Sequence, residues 1–346
     1  MAAGDLVVLT GATGHVGFAT LRALINQGYT VRAVVRSDAK GDSVRNQSTL
    51  KTKPDQLSFV TVPDFTVPNA FDAAVHGAKY IVHVASPLAD SVPPGADLEA
   101  GIVKPAVQGT LNVFSAAKAS GTVKRIVVTS SAVVTVPLNV ILGAPTSETY
   151  HPDFRAPPIP APYMDMPIVA YVASKIAAIN AAEDFVKAEK PDFDVIHIHP
   201  SFVEGRDDLT TTVKGFETGT NKIITDLVTG DKAEEPRLAA AVHVEDVALA
   251  HVKALDSSVP GNRSFVLNRS DFAWEDALQI IKEKYPEALA KGWLSTEGAL
   301  VSPAHVNVDS SETETILGVK FRTYKEMVES VVEQYLEVLE KEDGGN

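Results

Sequence analysis

The chain has 346 residues, 45% of them apolar and 22% charged, with a net charge of −13 and no cysteine. That charge and the lack of any basic run argue against a nucleic-acid binder, and the missing cysteine excludes disulfides and thiolate metal sites. A reducing, cytoplasmic compartment is therefore expected, and the opening MAAGDLVVLTG has neither the basic nor the long apolar region of a signal peptide.

The first half alternates β-branched runs with helix-like segments. LVVLTG (6–11) leads into a helix reaching Gln27, TVRAVVR (30–36) follows, and LSFVTV (57–62) precedes a helix near 69–76. KYIVHVA (79–85) precedes a long helix near 98–119, then comes KRIVVTSS (124–131), a further helix around 171, and FDVIHIHP (193–200). Strands that are apolar on both faces and separated by helices imply a parallel sheet covered on both sides. The expected fold is α/β, a doubly wound Rossmann-type parallel sheet whose crevice lies outside the carboxyl ends of its strands. Beyond 203 the rhythm changes, with helices near 213–229, 245–256, 273–284 and 324–341 and short strands near 240–244 and 264–268. This reads as a smaller C-terminal lobe for the substrate over 204–346, with 1–203 binding the dinucleotide and 240–268 returning to it. The uncharged stretch Ile126–Thr146 has the length of a membrane span, but its serines and threonines suit a strand running into a loop, so no membrane association is expected. APPIPAP (156–162) reads as a loop and EKEDGGN as a frayed tail.

LTGATGHVG runs off the first strand into a helix. Gly11 permits a tight turn, Gly14 lets the backbone approach a pyrophosphate, and Gly17 lets the helix pack closely. Thr13, His15 and Val16 fill the positions between and count among the cofactor contacts. The phosphates then meet the helix N-terminus. At the end of the second strand an acidic residue suits NAD, whereas an arginine suits a 2′-phosphate. Arg36 stands there and Lys40 follows, so NADPH is favoured; Asp38 between them leaves NAD as the lesser reading.

Tyr171 and Lys175 are spaced i and i+4 and share a helical face. A nearby ammonium favours phenolate, which would bring the tyrosine pKa down toward working pH and let Tyr171 donate a proton to a carbonyl oxygen. Ser130 and Ser131 end the preceding strand; Ser131 is the better group to hold that oxygen, and Ser130 faces the cofactor or the core. No metal site is expected, because His197 and His199 share a strand face without a third ligand. Tyr163, Met164, Met166 and Phe202 are candidates either for a substrate pocket or for plain packing.

TGATGHVG (10–17), HVASP (83–87), KPAVQGTLNV (104–113), VTSSA (128–132), YVASK (171–175), HPSFVEG (199–205) and HVEDVALAH (243–251) stand in one order. In that combination the sequence resembles the extended short-chain dehydrogenase/reductase family. RSDAK and HVASP look most like its branch of dihydroflavonol, cinnamoyl-CoA and methylglyoxal/isovaleraldehyde reductases. The resemblance implies NADPH-dependent carbonyl reduction with Ser131, Tyr171 and Lys175 as the triad. It also implies Asp64 at the adenine, Ala85 and Pro87 along the cofactor trough, Pro200 and Val203 beside the nicotinamide, and Lys175 on the nicotinamide ribose. Two departures narrow it. Val136 stands five positions past Ser131, where dihydroflavonol reductases carry a polar residue, and IVAYVASK lacks the cysteine-bearing motif of cinnamoyl-CoA reductases. A microbial aldehyde or ketone reductase of broad range fits better, working as monomer or homodimer on a small-molecule carbonyl. The alternatives are an epimerase/dehydratase or sterol-type dehydrogenase of the same superfamily, and a non-catalytic dinucleotide sensor.

Overall fold

The computed structural model describes residues 4–50, 52, 55–88, 92–163, 166–233, 236–302 and 306–344. The chain begins with β1 (Leu6–Thr10), α1 (His15–Asn26), β2 (Thr30–Val35), α2 (Asp38–Arg45), β3 (Leu57–Thr61), α3 (Asp72–Val75) and β4 (Tyr80–His83). It continues through α4 (Lys104–Ser120), β5 (Arg125–Thr129), α5 (Leu138–Ile141), β6 (Thr149–Tyr150), α6 (Pro167–Glu189), β7 (Asp194–Pro200) and β8 (Phe202–Glu204). The rest comprises α7 (Lys222–Thr229), β9 (Ala241–His243), α8 (Val244–Ala254), β10 (Arg263–Leu267), α9 (Asp276–Lys284), α10 (Pro286–Ala290), β11 (Asn307–Val308), α11 (Ser311–Ile316) and α12 (Tyr324–Asp343).

Seven strands form one sheet in the order β3-β2-β1-β4-β5-β7-β10, with every pair parallel. Both faces are covered, which is why the strands are apolar throughout. Leu9 and Phe265 face the side packed by α1 and α8, whereas Val8, Ile81 and Ile126 face α4 and α6. The strand order reverses between β1 and β4, and a crevice opens at such a switch point.

At the opposite, amino edge of the sheet, buried Arg125 uses every guanidinium N–H. It pairs with Asp194 at 2.6 and 2.9 Å and donates to the carbonyls of Ala254, Asp256 and Val259. β5, β7 and the α8–β10 loop are thereby tied together.

A second core forms around Trp274, with Phe272, Ile224, Leu227, Met327 and Val328. Tyr324 stacks on Phe272 at 4.0 Å and donates to the Trp274 carbonyl, and the Trp274 indole donates to the Leu238 carbonyl. Two small parallel pairs lie outside the main sheet. β8 pairs with β9, and β6 pairs with β11. Next to the latter, Val136, Val140, Tyr150 and Val306 form a small apolar cluster.

Several elements differ from expectation. The polar helix α2 was hidden in RSDAKGDS; Ser37 caps it by accepting from the Lys40 amide. The helix expected over 213–229 is broken by Gly219, at φ 74, into a 3₁₀ turn (Val213–Glu217) and α7. A π-helical turn (Glu99–Val103) leads into α4. The uncharged stretch 126–146 is β5, a 3₁₀ turn (Ala132–Val134) and α5, and no helix among the described residues is long and apolar enough to cross a membrane.

Candidate active site

The glycine loop brings the ends of β1 and β4 together. Gly11 has φ 80, and a Cβ there would lie 2.8 Å from the Ala85 nitrogen. A Cβ on Gly17 would lie 1.8 Å from the Gly11 carbonyl oxygen, so the first turn of α1 presses directly on the loop. Gly14 meets nothing nearer than 3.7 Å and leaves space above it. As the N-cap of α1 it offers no side-chain acceptor, so the first-turn amides are left for an external anion.

A crevice of about 200 Å³ runs from this edge, bordered by Arg36, Asp64, Ala85, Ser86 and Pro87. Arg36 is exposed and has no hydrogen bond or ion pair among the described residues. Asp38, by contrast, already accepts a bond from Thr61 at 2.6 Å. Lys40 is exposed in the first turn of α2. The Asp64 carboxylate accepts from the Thr66 amide and hydroxyl at 2.8 and 2.7 Å, and these bonds hold its pKa below the usual carboxylate range. A glycine cradle, an uncapped helix start and a free cation at the crevice end fit a phosphorylated dinucleotide.

Ser131 follows β5 and caps the 3₁₀ turn, accepting from the Val133 amide at 3.4 Å. The Ser131 hydroxyl lies close enough to the Tyr171 phenol to lower its pKa. Tyr171 and Lys175 lie in the first turns of α6, with the Lys175 Nζ 5.6 Å from the Tyr171 ring centre. The expected fall of the Tyr171 pKa is reversed: burial raises it, more than nearby Ser131 lowers it. Tyr171 is therefore protonated at neutral pH, the form a proton donor needs. Burial also lowers the Lys175 pKa to about 8. The Ser130 Oγ is buried without a hydrogen-bond partner among the described residues.

Residues 7–267 match the model of the NAD dependent epimerase/dehydratase family. The chain belongs to that family. A ketoreductase of Cercospora nicotianae is 41% identical over 353 residues, covering 99% of this chain and 98% of its own length. A putative NADPH-dependent methylglyoxal reductase of Candida albicans is 31% identical over 351 residues, covering 97% of this chain and 100% of its own. The NADPH complex of Gre2 from Candida albicans matches with a TM-score of 0.80 at 25% identity, covering 96% of this chain and 99% of that one.

In this epimerase/dehydratase chain, Pro200 ends β7 at the crevice edge, while Val203 in β8 is buried in the main core. Val16 packs against that same core and Thr13 is half-buried in the loop. His15 is more than a loop filler. Burial lowers its pKa against the raising effect of Asp207, so its ring faces the 205–208 segment. His197 and His199 stack at 6.2 Å, and burial brings the His197 pKa to about 3. Among the described residues no three His, Asp or Glu side chains gather as a metal site. Tyr163 is buried and donates to Glu99, Met166 is the exposed N-cap of α6, Phe202 packs edge-on against Trp274, and Met164 lies outside the described residues. Three buried polar residues escaped the sequence reading. Thr10 and His83 end β1 and β4, so their positions at the carboxyl edge were the available signal. Glu204 is fully buried with both oxygens unpartnered, and burial raises its pKa well above the usual value.

Proposed function

We propose that the chain reduces an aldehyde or ketone to the alcohol, with NADPH as cofactor. The observation that carries this reading is the placing of Tyr171 one helical turn from buried Lys175, whose Nζ lies 5.6 Å from the Tyr171 ring centre. Bound NADPH supplies the hydride. Ser131 holds the carbonyl oxygen, Tyr171 gives it a proton, and the Lys175 ammonium restores that proton. The glycine loop and the start of α1 take the pyrophosphate, Arg36 and Lys40 the 2′-phosphate, and Asp64 the adenine side. Ala85, Pro87, Pro200 and Val203 line the remaining path, and Lys175 holds the nicotinamide ribose. The relatives that act as ketoreductases or NADPH-dependent reductases support the same chemistry.

In this reading the lobe built on the Trp274 core is the substrate side, and the substrate is a small or medium carbonyl compound. Absence of cysteine suits work in the cytoplasm. An epimerase or dehydratase reading follows the family's name but needs a retained, re-oxidised NAD, which the free Arg36 disfavours.

The test is NADPH oxidation against a panel of aldehydes and ketones. Tyr171→Phe is expected to lower kcat at least about a hundredfold, the usual scale of lost acid catalysis. Wild-type rates in that variant would remove Tyr171 from the reaction. Arg36→Ala is expected to lower the preference for NADPH over NADH about tenfold or more, as loss of one charge-assisted phosphate contact implies. An unchanged ratio would place the 2′-phosphate elsewhere.

A further inference from the structure

One arginine of the second lobe has no part in any role given above. Among the described residues the arginines form ion pairs with carboxylates or donate to backbone carbonyls, with two exceptions, Arg36 and Arg237. Arg36 is the cation that meets the cofactor's 2′-phosphate. Arg237 lies in the other lobe, is exposed, and has the same unused fork of donors.

Arg237 is nonetheless held in place. Its amide donates to the Val301 carbonyl at 3.0 Å. Its guanidinium carbon lies 5.8 Å from the centre of the Phe202 ring, within reach of a cation–π contact. Phe202 in turn packs edge-on against Trp274 and comes two residues after Pro200, which ends β7 at the crevice edge. The next residue, Leu238, packs on the cluster of Val136, Val140, Tyr150 and Val306, and its carbonyl accepts from the Trp274 indole at 3.1 Å. Arg237 thus stands where the chain that follows Ser131 and the chain that follows Pro200 both meet the second lobe.

Its charge is not cancelled from below. Glu204 shares a face of β8 with Phe202, is fully buried, and has no hydrogen-bond partner for either oxygen among the described residues. Burial keeps the Glu204 pKa well above the usual value despite the attraction of Arg237. The guanidinium is therefore seated on an aromatic ring, flanked by apolar side chains and left without a counter-ion. Two of its N–H groups run parallel, the geometry that a carboxylate fits.

We propose that Arg237 recognises the substrate, and that this substrate is a carbonyl compound carrying a carboxylate, with an apolar spacer between the two groups. The inference rests on the carbonyl-reductase reading and narrows it. The carbonyl sits at Ser131 and Tyr171, the spacer passes the Val136 cluster and Phe202, and the carboxylate takes the guanidinium. Arg237 touches no reacting atom and sets specificity alone. It holds ground state and transition state alike, so its effect falls on KM more than on kcat.

The test pairs each acid with its methyl ester, which keeps the skeleton and removes the charge. Suitable pairs are para-formylbenzoate and levulinate with their methyl esters, read by NADPH oxidation. Wild-type kcat/KM is expected to favour the acids about tenfold, the scale of one charge-assisted contact facing solvent. Arg237→Gln should bring that ratio near one, Arg237→Lys should keep part of it, and Arg237→Glu should turn it toward the esters. General injury to the lobe lowers both rates and leaves the ratio as it was. Added salt should shrink the wild-type ratio, because a solvent-facing charge is screened. Equal kcat/KM for acid and ester in the wild type, or an unchanged ratio in Arg237→Gln, would overturn the assignment. Failure of the reductase reading looks different: no carbonyl compound, acid or ester, then oxidises NADPH.

Discussion

The two edges of the seven-stranded sheet treat buried charge in opposite ways. At the amino edge, Arg125 spends all its N–H groups on Asp194 and three backbone carbonyls. At the carboxyl edge, Lys175 is buried as deeply and is left unpaired, with unsatisfied Ser130, His197 and His199 nearby. A fold gains nothing from the second arrangement, since an uncompensated buried cation costs free energy. What the contrast teaches is that one edge is organised to persist and the other to receive a ligand.

Substitutions at the two edges should therefore act with opposite sign. Arg125→Ala is expected to lose about 3 kcal/mol, since it strands three backbone carbonyls and removes the partner of half-buried Asp194. Denaturant unfolding would read it, with NADPH affinity held within about twofold because the site is at the far edge. A loss too small to measure would break the contrast.

Lys175→Met should do the reverse, stabilising the apoprotein while abolishing turnover. A fall of the lysine pKa from 10.5 to about 8 corresponds to roughly 3 kcal/mol held against folding. The sign follows from proton binding: between about 8 and 10.5 the unfolded chain binds more protons than the native one. The penalty is thus full below pH 8 and fades toward 10.5. The variant's advantage should shrink over that window, as measured by urea unfolding at several pH values. Equal stability at neutral pH would mean that Lys175 is compensated after all.

Thr10→Val probes the meeting point of β1 and β4, and its effect should be the smallest. Removing the hydroxyl leaves the Val84 and Ala85 amides and His83 Nδ1 without their partner, at a cost of about 1–2 kcal/mol. NADPH affinity should fall with it, because Ala85 borders the crevice. An unaffected Kd would confine Thr10 to the scaffold.

Much of this was legible before any coordinates. The strand runs from Leu6 to Pro200 could be read because a parallel sheet buried on both faces permits little but apolar residues. The expectation of an NADPH-dependent carbonyl reductase agrees with the relatives found. The second half was harder, since β8 and β11 are only three and two residues long and carry no usable periodicity, whereas the strand near 240–244 was read and is β9. α2 escaped because its polar residues make almost no apolar stripe. The direction of the Tyr171 pKa was misjudged for a simple reason. A motif places two side chains on one helix face but says nothing of how much solvent each loses. His83 was overlooked likewise, because its significance comes from Thr10, a residue distant in sequence that β1–β4 pairing brings beside it.

The pairing of β6 with β11 carries a consequence of another kind. Thr149–Tyr150 belong to the segment that follows Ser131, whereas Asn307–Val308 come from near the end of the chain. Val306 thereby reaches Val136 through one layer of side chains. Substitutions near 306–308 can thus repack the segment that follows Ser131 without touching the glycine loop or α6.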